Sequence, residues 1–216
     1  MPATILSDNG ASSGTAGLKT SGSNDGILEL QTTTGGGTAT AAITIDTAQR
    51  SKFPTTIGVG NATPATSGSG ITFPASASAS SDANTLDDYE EGTFTPTVAF
   101  GGASVAITYA QQQGFYTKIG NLVTCQIRIL LSDKGSSSGA ASIRGLPFTV
   151  AGGEAFSAMT ARILNMSFAD YYAGYASPGG TFIVLEEVTN AGSGSDITNS
   201  DFANNTNIIL SVYYRV

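Results

Sequence analysis

In residues 123–131, Val-Thr-Cys-Gln-Ile-Arg-Ile-Leu-Leu, apolar side chains stand at positions 123, 125, 127, 129 and 131. Successive side chains of a strand point to opposite faces of a sheet, so this alternation predicts a half-buried β-strand. Shorter strand-length runs occur at 92–100, 103–109, 114–119, 141–144, 156–168, 181–188 and 208–216, separated by Gly, Pro, Asn, Asp and Ser. No run shows a helical period bounded by capping residues, and only 156–164 is open to either reading. About nine short strands with regular turn signals predict an all-β domain over 85–216, a β-sandwich of jelly-roll type. That length suffices for one core.

Upstream of a seam near Asn84 the pattern changes. Stretches 10–17 and 75–81 offer almost no large side chain to bury. Residues 1–26 carry Gly at 10, 14, 17, 22 and 26 among Ser, Thr and Asn, which predicts loops and reads as an N-terminal attachment arm. Residues 27–84 read as a low-complexity β shaft or linker. Within it, 27–33 and 39–46 predict a hairpin across Gly35, Gly36 and Gly37. Segments 55–59 and 71–73 are further extended runs, bounded by Pro54 and Pro74, which favour edge positions. Ordering each backbone residue costs about 1–2 kcal/mol, which a segment poor in large apolar groups does not offset alone. The expectation is that neighbouring copies supply the missing burial, small residues letting three thin chains approach closely.

Composition narrows the partners. Charged residues make up 12% of the 216, and the formal net charge is −7. With nine Lys and Arg in all, the chain is poorly suited to a phosphate backbone, so no nucleic acid is expected. The sequence contains no apolar run of the roughly 18 residues that a membrane-spanning helix needs. Met1-Pro2-Ala3-Thr4 opens without a basic or apolar leader region, giving the expectation of synthesis in a cytoplasm without a signal peptide. Cys125 is the single cysteine, which leaves no intrachain disulfide and reads as a small buried apolar group.

Residues 80–97, SSDANTLDDYEEGTFTPT, followed by 114–121, GFYTKIGN, resemble a module of tail-fibre and fibre-like virion proteins of tailed bacteriophages. Residues 38–47, TATAAITIDT, are similar to their shaft segments. The resemblance implies a homotrimeric fibre or spike on a virion. Its N-terminal arm would dock on other virion proteins, and its β head would face the host surface and its glycans. A capsid-decorating head fibre or cement spike is the alternative location for the same trimer. A glycan-cleaving tailspike and a free sugar-binding module rank below these. In longer relatives the shaft continues through a Gly-rich turn near Gln49, whereas here Arg50-Ser51-Lys52-Phe53-Pro54 intervenes.

Catalytic chemistry finds little support. Residues 10–14 and 135–139 both satisfy Gly-x-Ser-x-Gly, but the chain has no His to act as base. The same absence, with one Cys, removes the usual zinc and redox-metal ligands. Asp87, Asp88, Glu90 and Glu91 could pair for glycoside cleavage, although a solvated loop explains them more simply. Asp82, Asn84 and Asp87 superficially match a calcium loop, with Leu86 where an oxygen ligand belongs. No catalytic, cofactor or metal residue is therefore expected. Tyr171, Tyr172 and Tyr175 concentrate aromatic surface suited to stacking on a receptor glycan, and equally to covering the core or a trimer contact. The polar loops 136–139 and 192–200 suit an exposed tip.

Overall fold

A computed structural model describes residues 17–20, 28–33, 39–48, 50–76, 80–82 and 85–216. The chain divides into two units, residues 1–78 and 79–216.

In the first unit, β1 (Gly17–Thr20), β2 (Leu28–Thr33), β3 (Ala39–Ile45) and β4 (Ser51–Lys52) form an antiparallel sheet in that order. The predicted hairpin is present as β2 and β3, with one irregularity between Leu30 and Gln31. β1 falls in a segment read as loop: its Gly and Thr carry little strand signal, yet its backbone pairs along the edge of β2 from Gly17 to Thr20. The remainder of the expected arm, 1–16 and 21–26, lies outside the described residues. Where the Arg50–Pro54 insertion departs from a Gly-rich turn, the chain instead reverses through an Asp46 clamp. The Asp46 carboxylate accepts amide hydrogens from Ala48 at 2.9 Å and Arg50 at 3.0 Å, and its Oδ2 meets the Arg50 guanidinium at 2.7 Å. β4 then pairs with β3. Beyond it, β5 (Thr56–Gly58) and β6 (Gly70–Thr72) pair in parallel. None of residues 29–31, 41–48 and 50–76 is buried, and Leu30, Phe53, Ile57, Val59 and Ile71 stay exposed.

The second unit is all-β, with no helix among its described residues. Its strands are β7 (Tyr89–Phe94), β8 (Thr97–Phe100), β9 (Thr108–Ile119), β10 (Leu122–Asp133), β11 (Ala141–Arg144), β12 (Ser157–Met166), β13 (Tyr171–Ala176), β14 (Phe182–Val188), β15 (Gly194–Asp196) and β16 (Phe202–Arg215). They form one antiparallel sheet ordered β7-β9-β10-β16-β12-β13-β14-β11-β8, with β15 added beside β14. The two layers anticipated for a sandwich are halves of this single curled sheet, joined through β12. That strand pairs with β13 only at Ser157 and Ala158, then with β16 from Met159 onward.

The concave face encloses the core. Inward residues Val123, Cys125, Ile127, Ile129 and Leu131 of β10 are buried, as the alternation predicts. They meet Ile208, Leu210, Val212 and Tyr214 of β16 and, from the other half, Val98, Phe100, Ile143, Ile183 and Leu185. Full burial of such side chains contributes about 1.5–3 kcal/mol each, which gives this unit the ledger the first one lacks.

Boundaries differ where polar residues mask strands. The run 92–100 breaks at Thr95-Pro96 into β7 and β8, because proline cannot donate to a ladder. Residues 103–107 form a turn, with Ala106 at φ 59°, instead of a strand. β9 then runs unbroken through Gln111, Gln112, Gln113 and Gly114; a Cβ on Gly114 would lie 2.5 Å from the Phe94 ring. β16 begins at Phe202, since Asn204, Asn205 and Asn207 hide its first half from a hydrophobicity reading.

Candidate functional site

β12 leaves β13 after Ala158 to join β16, and the two strands splay apart. The split opens a groove of about 370 Å³ lined by Met159, Thr160, Ala161, Phe168, Asp170, Tyr171 and Tyr172. Its floor depends on Gly174: a Cβ there would lie 2.5 Å from the Val184 carbonyl oxygen and 2.7 Å from the Met159 methyl. A glycine at this point of β13 lets Met159 lie flat against the strand.

The alternation of β13 divides the predicted tyrosines. Tyr171 points outward on the groove rim and is 61% exposed. Tyr172 faces inward against the core, its hydroxyl donating to the Ala161 carbonyl and its ring standing edge-on to Phe168 at 5.4 Å. Tyr175 lies outside the groove, edge-on to Phe156 at 5.3 Å. The structure thus brings Tyr171 and Tyr172 to one site and sends Tyr175 elsewhere. Also lining the groove, Asp170 is held by Asn190, whose backbone amide donates at 2.9 Å and whose side-chain amide donates at 3.3 Å. Aromatic surface beside a fixed carboxylate and the Thr160 hydroxyl suits a sugar ring, which presents C–H faces and hydroxyl edges together.

Met159, Thr160 and Phe168 were missed by sequence reasoning, because they meet the tyrosines through sheet topology instead of a local motif. The Phe168-x-Asp170-Tyr171-Tyr172 spacing was the one available signal.

The acidic segment disperses. Asp88, at φ 59°, pairs with Lys118, whose ammonium also lies 5.8 Å from the Phe148 ring centre. Their side chains are 14% and 9% exposed, so the pair is largely shielded from water. Glu90 accepts the Tyr116 hydroxyl, and that bond, with some burial, pushes the phenol up to about 12. Glu91 falls on the other face of β7 and accepts the Tyr89 hydroxyl at 3.0 Å. Asp87 accepts the Ser80 amide. These carboxylates are each engaged by a separate partner, so the strand leaves no facing acid–base pair.

Comparison with protein families, curated proteins and solved structures finds no match for this chain. The remaining sequence candidates are placed by geometry alone. In 135–139, Gly135 has φ 69° and the Ser137 hydroxyl accepts the Val105 amide at 2.8 Å, which makes this a loop clasp and not a strand-to-helix elbow. The other such pattern, 10–14, lies outside the described residues. No group of three or more His, Cys, Asp or Glu converges among the described residues. Loops 136–139 and 192–200 do come together, through the Gly139 amide on the Asn199 side chain at 2.9 Å and the Asn199 amide on the Gly139 carbonyl at 3.2 Å. Cys125 is fully buried beside the Tyr214 hydroxyl, and burial pushes its thiol up to about 12.

Proposed function

We propose that the chain is a non-enzymatic structural protein of a tailed-phage virion: a homotrimeric fibre or spike, anchored through its N-terminal arm, whose β head attaches to glycans of the host surface. The observation that carries this reading is the contrast in burial. Strands form in the first unit with no buried residue among 29–31, 41–48 and 50–76, while the second unit encloses a core of buried side chains. Exposed Phe53, Ile57, Val59 and Ile71, on or beside short strands, are what a thin shaft presents to like copies of itself. The resemblance of residues 38–47, 80–97 and 114–121 to phage fibre modules supports the same reading. The groove at Phe168, Asp170, Tyr171 and Tyr172 supplies a glycan contact of the right chemistry.

A density map of intact particles tests the proposal. Three copies around one axis, with residues near 1–26 against the particle and 85–216 outermost, are expected. Absence of the chain from purified particles overturns the reading, and a position on the capsid shell transfers it to a decoration spike. For the groove, Tyr171→Ala and Asp170→Asn are each expected to weaken binding to host-surface polysaccharide at least tenfold, leaving the oligomer unchanged; undiminished binding overturns that assignment.

A further inference from the structure

The outward face of β7, β9, β10 and β16 carries an apolar belt distinct from the groove. Tyr89, Ile119, Leu122 and Arg215 stand in one register across these four strands, and Glu91, Thr117, Thr124 and Tyr213 form the next outward row. Tyr89, Ile119, Leu122 and Tyr213 are all exposed, Tyr213 at 62%, and Phe156 extends the patch at 58%. A depression of about 460 Å³ runs between Leu122, Phe156 and Tyr213 and is bordered by Glu154 and Arg215. Contiguous apolar surface rimmed by charge marks an interaction site.

The belt is also polar from side to side. Its β7 flank carries Glu91, and its β16 flank carries Arg215, which borders the same depression as Glu154 but forms no ion pair among the described residues. In a closed ring of like copies, each contact sets one flank of a subunit against the opposite flank of the next, so unlike charges meet at every joint. We propose that this belt is the contact between heads of three copies of this chain, with Glu91 of one copy against Arg215 of its neighbour and the apolar residues turned toward the common axis. The inference rests on the trimeric reading and names the surface that the trimer uses.

Cysteine cross-linking of the full chain tests it. Within one subunit the two flanks are three strand spacings apart, about 14 Å, beyond the roughly 7 Å that a disulfide spans. A chain carrying both Glu91→Cys and Arg215→Cys is therefore expected to oxidise to a covalent trimer, and each single variant to remain one chain on a non-reducing gel. Light scattering separates the failures. A trimer of unchanged mass with no cross-link, a covalent dimer, or cross-links formed only to a different virion protein overturns the belt contact alone. A single-chain mass for the unmodified protein overturns the trimeric reading beneath it. As a second variant, Glu91→Arg is expected to lower the head's melting temperature by several degrees, with recovery on adding Arg215→Glu; additive losses overturn the pairing.

Discussion

At the scale of residues, three positions bear most of the testable chemistry. Lys118 is nearly buried and answered by Asp88, whose left-handed backbone suits Asp or Asn. Asp88→Asn keeps that backbone but leaves an ammonium without its counter-charge, and breaking such a pair costs about 3–5 kcal/mol. A fall of that size in unfolding free energy, measured with urea, is expected. Gly174→Ala drives a methyl into the Val184 carbonyl and Met159, so a loss of about 1–3 kcal/mol is expected together with a narrowed groove. Cys125 provides a pH signature. Its thiol is raised from 9.0 to about 12 in the folded chain, so the neutral form is favoured there and the unfolded chain loses its proton first. Stability is then full below about pH 9 and declines as pH rises toward 12. At pH 8 iodoacetamide is expected to spare Cys125 in the native protein and to label it in denaturant; rapid native labelling contradicts this burial.

At the scale of elements, β10 was legible because one face is buried and the other is not, so Cys125, Ile127 and Ile129 announce their own direction. Ile129→Ala is expected to cost about 2–5 kcal/mol, whereas Gln126→Ala, on the outward face, stays within about 0.5 kcal/mol. Denaturation midpoints compare the two directly. The middle of β9, 110–113, and the first half of β16 were illegible for the converse reason. Gln111, Gln112 and Gln113 gain their strand conformation from ladder partners on β10, while Asn204 and Asn205 sit at an irregularity of the ladder, bonded to Lys134 and Asn165, and all these partners are distant in sequence. β13 was read as an aromatic cluster because Tyr171, Tyr172 and Tyr175 outweighed the alternation that places Gly174 and Ala176 inside. Of the groove only Tyr171 and Tyr172 were legible, since its other wall exists only where β12 changes partners.

At the scale of the whole molecule, the units on either side of the division at residue 78 differ physically. After it, one curled sheet buries Val98 through Tyr214 around a common core. Before it, backbone pairing supplies order while Leu30, Phe53, Ile57, Val59 and Ile71 remain exposed. Backbone hydrogen bonds exchanged for water bonds contribute only about 0.5–1.5 kcal/mol each, too little alone to offset the entropy of ordering. The central claim is therefore that the first unit is completed by like copies. Light scattering on the full-length chain across a dilution series is the most direct test. The account predicts a mass three times the 21.8 kDa of one chain, held on dilution. A constant single-chain mass, with residues 17–76 resistant to protease, would contradict it.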